Sequence, residues 1–367
     1  MLDHADRIII ARLQADGRTP MAELGQAAGL STSAAHDRVR RLTERGIIAG
    51  MTIRVDPAAI GRGVLGFVFV ALDRPAAEPG FIAAIAAVSV AFTGCAPAAP
   101  AGPATPDGLS MSATPDGASP LQDRVDALLD ENPGWTGLAI VIDGPGADLK
   151  TAVAGMAAPD GTEFTSNTPL RLASVTKTYV AATALRLWEQ GRLDLDSPLS
   201  SLLDQRYTDM LRADGYEIDA LTPRHLLMHA AGLPDHADER YLGMVLENPA
   251  RIWTREEQVA LAMDDREPLA GPNERFSYSD TGYVLIGHII EKITGQPLAE
   301  AVRTQLGFAD LGLQATWWEE TETPPASAPA RAHQYLGGED TTGWHGSLDL
   351  YGGGGLVAGT QDMATFF

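Results

Sequence analysis

Ser174 and Lys177 stand three residues apart at the start of a stretch, 174–190, whose apolar spacing predicts a helix stopped by Gly191. Val180, Leu185 and Leu187 take its expected inward positions. Three residues make about one helical turn, so the serine and the lysine share a face. A serine hydroxyl attacks a carbonyl only when a neighbouring group takes its proton. A lysine one turn away can take it, or can hold a phenolate that does. The positive end of the helix macrodipole favours the serine alkoxide and opposes the lysine charge. The spacing alone is a weak signal, since a lysine so placed is ordinarily a surface residue. In this chain, however, arginine carries most of the positive charge, and Lys150, Lys177 and Lys292 are the only lysines.

Two predicted strands, 137–142 and 151–155, precede that helix around a turn rich in glycine and aspartate. The segments RLASVTKTYVAATALRLWEQGRLDLDSPLSSLL, LTPRHLLMHAAGLPDH, FSYSDTGYVLIGHIIEKITGQPL and GGGGLVAGTQDMATFF then follow in order. Together they resemble the serine β-lactamase-related family, which includes class C β-lactamases, D-alanyl-D-alanine carboxypeptidases, D-aminopeptidases and esterases. The resemblance covers 121–367. It implies an α/β domain joined to an all-α domain, the penicillin-recognising serine hydrolase fold, with the site between them. It also implies that Ser174 is acylated, that Lys177 and Tyr278 share the work of general base, and that the Ser174 N–H supplies half of an oxyanion hole. His229, Asp235 and His236 read as structural residues of their loop.

The chain departs from that pattern in two places. Asp280 stands where the family carries asparagine, two residues after Tyr278. An amide there donates to a substrate carbonyl, whereas a carboxylate only accepts. Asp280 is therefore a substrate-contact candidate that shifts preference from β-lactams toward esters or peptides, and it could instead pair with Lys177. The family's third motif, Lys-Thr-Gly or His-x-Gly, is not found after Tyr278, because His288, His333 and His345 lack the right neighbours. The hydrolase domain is thus expected to be incomplete at its C-terminus and to have little activity as it stands.

The N-terminal third reads differently. Residues 2–16, 21–28 and 32–45 have helical patterns stopped by Gly17, Gly29 and Gly46, and Ser31 can cap the third. Arginines crowd that third helix, followed by a predicted strand at 51–55. Helix, tight turn and capped basic helix form the helix-turn-helix layout, in which the second of the pair enters the major groove. A bland three-helix scaffold with a solvated arginine face would look similar. The run LDHADRIIIARLQADGRTPMAELGQAAGLSTSAAHDRVRRLTERGIIAGMTIRVDP closely resembles the all-α winged helix-turn-helix of Lrp/AsnC regulators. That resemblance makes duplex DNA the expected partner, through Ser31, Thr32, Ser33, His36, Arg38, Arg40 and Arg41.

The expected organisation is a winged helix-turn-helix over 1–62, a junction over 63–94, a Pro/Ala/Gly linker over 95–120 and the hydrolase over 121–367. GVLGFVFVALDRPAAEPGFIAAIAA looks like the first strand and helix of a regulator's ligand-sensing domain, whose remaining strands do not follow. Residues 81–94 are also an apolar run ending directly before Cys95, which with the linker resembles a bacterial lipoprotein start and makes Cys95 a lipidation candidate and possible membrane tether. As a helix that run spans only ~21 Å, too short for a bilayer. A cytoplasmic DNA binder and an envelope lipoprotein conflict, so two genes joined near residue 80 are one expectation and a genuine fusion in the cytoplasm the other.

Composition bounds these readings. The 367 residues are 45% hydrophobic and 20% charged, which suits packed domains, and the net charge of −21 argues against nucleic-acid binding by the chain as a whole. That charge divides as roughly +2 over 1–75 and roughly −23 beyond, consistent with parts having different partners. A single cysteine excludes an intrachain disulfide and a cysteine metal cluster. No metal or cofactor is implied. The leading reading is a serine hydrolase fused to a regulator domain. The alternatives are a transcriptional regulator with a passenger hydrolase half, and a non-catalytic binding member of the same fold.

Overall fold

The computed structural model describes residues 3–15, 19–44, 65–72, 120–143, 150–264, 267–336 and 338–367. The chain divides into two compact units, Met1–Gly63 and Val64–Phe367. The sequence expectations for the strand at 51–55, the apolar run at 81–94, Cys95 and nearly all of the linker lie outside the described residues.

In the first unit, α1 (His4–Ala15), α2 (Met21–Ala28) and α3 (Thr32–Glu44) fall close to the ranges their periodicity predicts. Ile9, Leu24, Ala35, Val39 and Leu42 are buried together, with Ile10 and Leu13 packed against them. The turn between α2 and α3 passes through Gly29 at φ +69°, a left-handed helix stop that costs a glycine little. Ser31 then caps α3, its Oγ accepting the Ala34 N–H at 3.2 Å.

Among the described residues the second unit holds three small sheets. In the first, β2 (Trp135–Asp143) lies between β1 (Leu65–Leu72) and β3 (Lys150–Gly155), antiparallel to both. Leu138 to Ile142 of β2 are all buried, so this central strand reads as an unbroken apolar run, not an alternating one. Helix α4 (Pro120–Glu131) covers one face, where Leu121, Val125 and Leu128 meet Leu138, Ile140 and Ile142. The segment expected to open a ligand-sensing domain is β1. It is a strand, but it pairs with the hydrolase strand β2, Leu65 opposite Asp143 and Val70 opposite Leu138. Beyond β3, the other edge of β2 carries free N–H and C=O groups, and an apolar strand satisfies them.

The second sheet sets β8 (Leu356–Ala358) between β4 (Leu170–Arg171) and β5 (Trp317–Trp318). A two-stranded pair, β6 (Tyr335–Leu336) and β7 (Glu339–Asp340), lies apart. The helices of this unit include α5 (Thr176–Glu189), α6 (Pro223–Leu227), α7 (Asp280–Thr294) and α8 (Leu298–Gln305). Val180 and Leu187 of α5 are buried with Val284, Leu285, Ile289 and Ile290 of α7 in the main core. Each such side chain contributes about 1.5–3 kcal/mol by leaving water. Leu185, expected inward, is 44% exposed. The buried stripe of α5 runs through Val180, Ala184 and Leu187, spaced by four and three, and position 185 falls beside it.

Candidate active site

Ala173–Val175 form a 3-10 turn that leads into α5, and Ala173 takes φ +44°, a left-handed conformation unusual for alanine. Such strain persists only where the surroundings impose it. It lifts Ser174 to an exposed position at the mouth of the helix, while Lys177 one turn on is buried. The Lys177 Nζ donates to Ser174 Oγ at 3.0 Å, as the three-residue spacing requires.

Two distant segments complete the site. The loop before α7 brings Tyr278, whose hydroxyl donates to Ser174 Oγ at 2.7 Å and lies 3.3 Å from Asp280 Oδ1. Asp280 is the first residue of α7 and forms an ion pair with Lys177, the alternative that the sequence left open for it. A carboxylate at a helix N-terminus is also favoured by the macrodipole. The glycine run before β8 brings the Gly353 carbonyl, which accepts from Lys177 Nζ at 2.6 Å. Its glycines are there for close approach. Gly352 takes φ +126°, and a Cβ on it would stand 2.4 Å from the Tyr283 carbonyl oxygen of α7.

Lys177 thus has Ser174, Asp280 and Gly353 around its ammonium, with the Tyr278 ring 5.1 Å away. Burial works to lower its pKa, but the Asp280 charge and the hydrogen bonds to Asp280 and Tyr278 outweigh it, and the net direction is upward. Lys177 is held as an ammonium. Further back, Asp235 accepts the backbone N–H of Asp280 at 3.2 Å, and burial followed by the Asp280 charge pushes its carboxyl up. His236 lies against Thr281, and burial, with the Lys177 charge adding to it, lowers its pKa to about 4 and holds the imidazole neutral. Asp349 sits against Gly354, where burial and then the Asp280 charge push it up to about 7.

Ser174, Lys177, Tyr278 and Asp280, picked from two segments of sequence, therefore converge. Sequence reading did not find the Gly353 carbonyl or Asp349, and it assigned His229 to a structural loop. The ring of His229 stacks on Tyr278 at 4.5 Å. A histidine next to an alanine-glycine turn carries no signal of that contact, which depends on how two loops meet. Among the described residues no group of three His, Cys, Asp or Glu could hold a metal, and no helix is long and apolar enough to cross a membrane.

On α3, Thr32, His36, Arg40 and Arg41 are exposed, and Ser31 is occupied as the cap. Ser33 lies in the first turn of the helix. Arg38 is turned into the unit, where its guanidinium bonds Asp3 and Asp6 of the α1 end, the latter at 2.7 Å.

A buried lysine bonded to an exposed serine and approached by a tyrosine, on helices packed against antiparallel sheets, defines a penicillin-recognising type of hydrolase fold. The family described as Beta-lactamase matches residues 123–367, and the chain belongs to it. The AsnC-type helix-turn-helix domain matches residues 2–43. The chain is 33% identical to penicillin-binding protein 4* of Bacillus subtilis over 185 residues, 47% of this chain and 37% of that protein. It is 48% identical to the HTH-type transcriptional regulator LrpA of Mycobacterium tuberculosis over 67 residues, 18% of this chain and 45% of that protein. The chain thus spans less than half the length of either relative. Among solved structures, D-amino acid amidase from Ochrobactrum anthropi in complex with L-phenylalanine amide superposes with a TM-score of 0.56 at 27% identity, covering 68% of this chain and 69% of that one.

Proposed function

We propose that the second unit is a serine hydrolase that works through an acyl-enzyme on Ser174, and that the first unit binds duplex DNA. The observation that carries the enzymatic reading is the contact of one serine oxygen with both the Tyr278 hydroxyl at 2.7 Å and the Lys177 ammonium at 3.0 Å. Lys177, held charged by Asp280, cannot take the serine proton. Tyr278, its oxygen 2.7 Å from the serine oxygen, relays it, taking the serine proton as it passes its own on. Ser174 Oγ bonds to the acyl carbon while its proton passes to the Tyr278 oxygen. The proton goes on to the leaving amine or alcohol as its bond to carbon breaks. Water then attacks the acyl-enzyme, gives its proton to Tyr278, and the acid leaves as Ser174 regains a proton. The Ser174 N–H supports the oxyanion, a contribution of about 3 kcal/mol at comparable sites.

The substrate class is an amide, peptide or ester. An amide nitrogen or an ammonium beside the acyl group can donate to the Asp280 carboxylate, which has no hydrogen to offer a β-lactam carbonyl. The amidase among the relatives fits that preference. The DNA reading rests on the exposed Thr32, His36, Arg40 and Arg41 of α3 together with the match to the AsnC-type domain.

The enzymatic reading is tested with a fluorophosphonate probe, which should phosphonylate Ser174 with loss of fluoride, located by peptide mass spectrometry. Folded protein that stays unlabelled at Ser174 sinks it. If duplex DNA is still bound in a salt-dependent way, the chain is then a regulator carrying a passenger.

A further inference from the structure

His229 bonds to both neighbours of Tyr278. Its carbonyl oxygen accepts the Ser277 N–H at 2.7 Å, and its Nδ1 accepts the Ser279 N–H at 3.1 Å. Between those two bonds its imidazole stacks on the Tyr278 ring, with centroids 4.5 Å apart and planes 25° apart. The tripeptide that carries Tyr278 is therefore gripped at three points by one residue. Tyr278 needs such a grip, because it stands before the first turn of α7 and its side chain is 43% exposed.

The backbone of His229 adds a second observation. It takes φ +53°, a left-handed conformation that costs an L-residue about 1 kcal/mol, though histidine and asparagine enter it more readily than most. A histidine kept there offsets that strain with its ring. The bond from Ser279 requires an Nδ1 lone pair, so the proton of the neutral ring sits on Nε2. Burial, and next the Lys177 charge, lower the pKa of His229 and keep the ring in that form. The Tyr283 ring also packs against it, with ring centroids 5.1 Å apart.

We propose that His229 is a positioning residue that fixes the Tyr278 hydroxyl against Ser174, through one side-chain acceptor, one carbonyl and one ring stack. The inference rests on Tyr278 acting as the base in the reading above. A residue that merely stabilised its loop would lower the folded fraction without acting through Tyr278.

The test measures the rate of Ser174 phosphonylation by a fluorophosphonate in the full chain, with folding followed by circular dichroism. His229→Ala should slow labelling on the order of 100-fold, the scale of a displacement of about 1 Å at a reacting group. His229→Asn, which tolerates the left-handed backbone and places an acceptor near Nδ1, should recover part of that rate. His229→Phe keeps the stack alone and should recover less. On a Tyr278→Phe background, His229→Ala should add less than about threefold, because its effect passes through the tyrosine. A folded His229→Ala protein within about threefold of the parent overturns the proposal, as does a loss undiminished on the Tyr278→Phe background. Should the alanine variant not fold, equal rates for the Asn and Phe variants overturn it. Labelling that survives Ser174→Ala or is unaffected by Tyr278→Phe would instead sink the underlying reading, whatever His229 does.

Discussion

In the helical unit Arg38 reaches from α3 to Asp3 and Asp6 at the start of α1, and in the second unit Lys177 reaches from α5 to Asp280 at the start of α7. Each cation meets carboxylate at the positive end of a helix, where the macrodipole favours the anion. The surroundings then differ. The Arg38 side chain is 26% exposed, and its guanidinium meets two carboxylates, Asp3 and Asp6, at the start of α1. The Lys177 side chain is 7% exposed, and Ser174 and a backbone carbonyl share its ammonium with Asp280. A guanidinium satisfied by two carboxylates ties helices together. A buried ammonium with a hydroxyl on one of its donors sets up chemistry, because charge acts strongly where water is excluded.

Lys177→Met offers the sharpest way to break that contrast. Hydrolysis of an activated ester should fall about 1000-fold, the scale of a disabled base, since the cation beside the Tyr278 base is lost. A loss below about tenfold would make Lys177 as structural as Arg38. Asp280→Asn should come next, with faster acylation by a β-lactam by about tenfold, since the amide can donate where the carboxylate cannot. No gain would remove Asp280 from the determinants of substrate choice.

A third test uses pH. Asp349 is pushed up to about 7 in the folded protein from an ordinary carboxylate value of 3.8, by burial first and then by Asp280. Between those values the folded state holds a proton that the unfolded state has released. Stability on this account falls as pH rises from about 4 to about 7 and stays lower above it. Asp349→Asn cannot ionise, so the melting temperature of the variant relative to the parent should rise from pH 4 to pH 8. A difference that is flat across that window would refute the assignment. Arg38→Ala should have the smallest effect, since its ion pairs are partly solvated. Hydrogen-exchange protection of α1 and α3 should drop about two- to fivefold, with Ser174 labelling unchanged.

What the sequence by itself determined was local. Helix caps and stops at Ser31, Gly29 and Gly191 are set by one residue and its near neighbours, and they stand where composition placed them. The Ser174–Lys177 contact spans a single helical turn, so its spacing was sufficient. The ordered motifs also announced the family over 121–367, and its model matches 123–367. Tertiary structure decided the rest. Tyr278 meets Ser174 across 104 residues, and Gly353 meets Lys177 across 176, through the packing of α5, α7 and the glycine run. Which side of α5 is wet depended on the partner helices, and Ala184 was buried where Leu185 was expected. Segment 65–72 joined the hydrolase sheet because β2 had an edge to fill, which no pattern within that segment encodes. Local geometry is fixed by covalent spacing and hydrogen bonds along the chain. Contacts between distant segments are chosen by shape and burial, and only the folded chain supplies those.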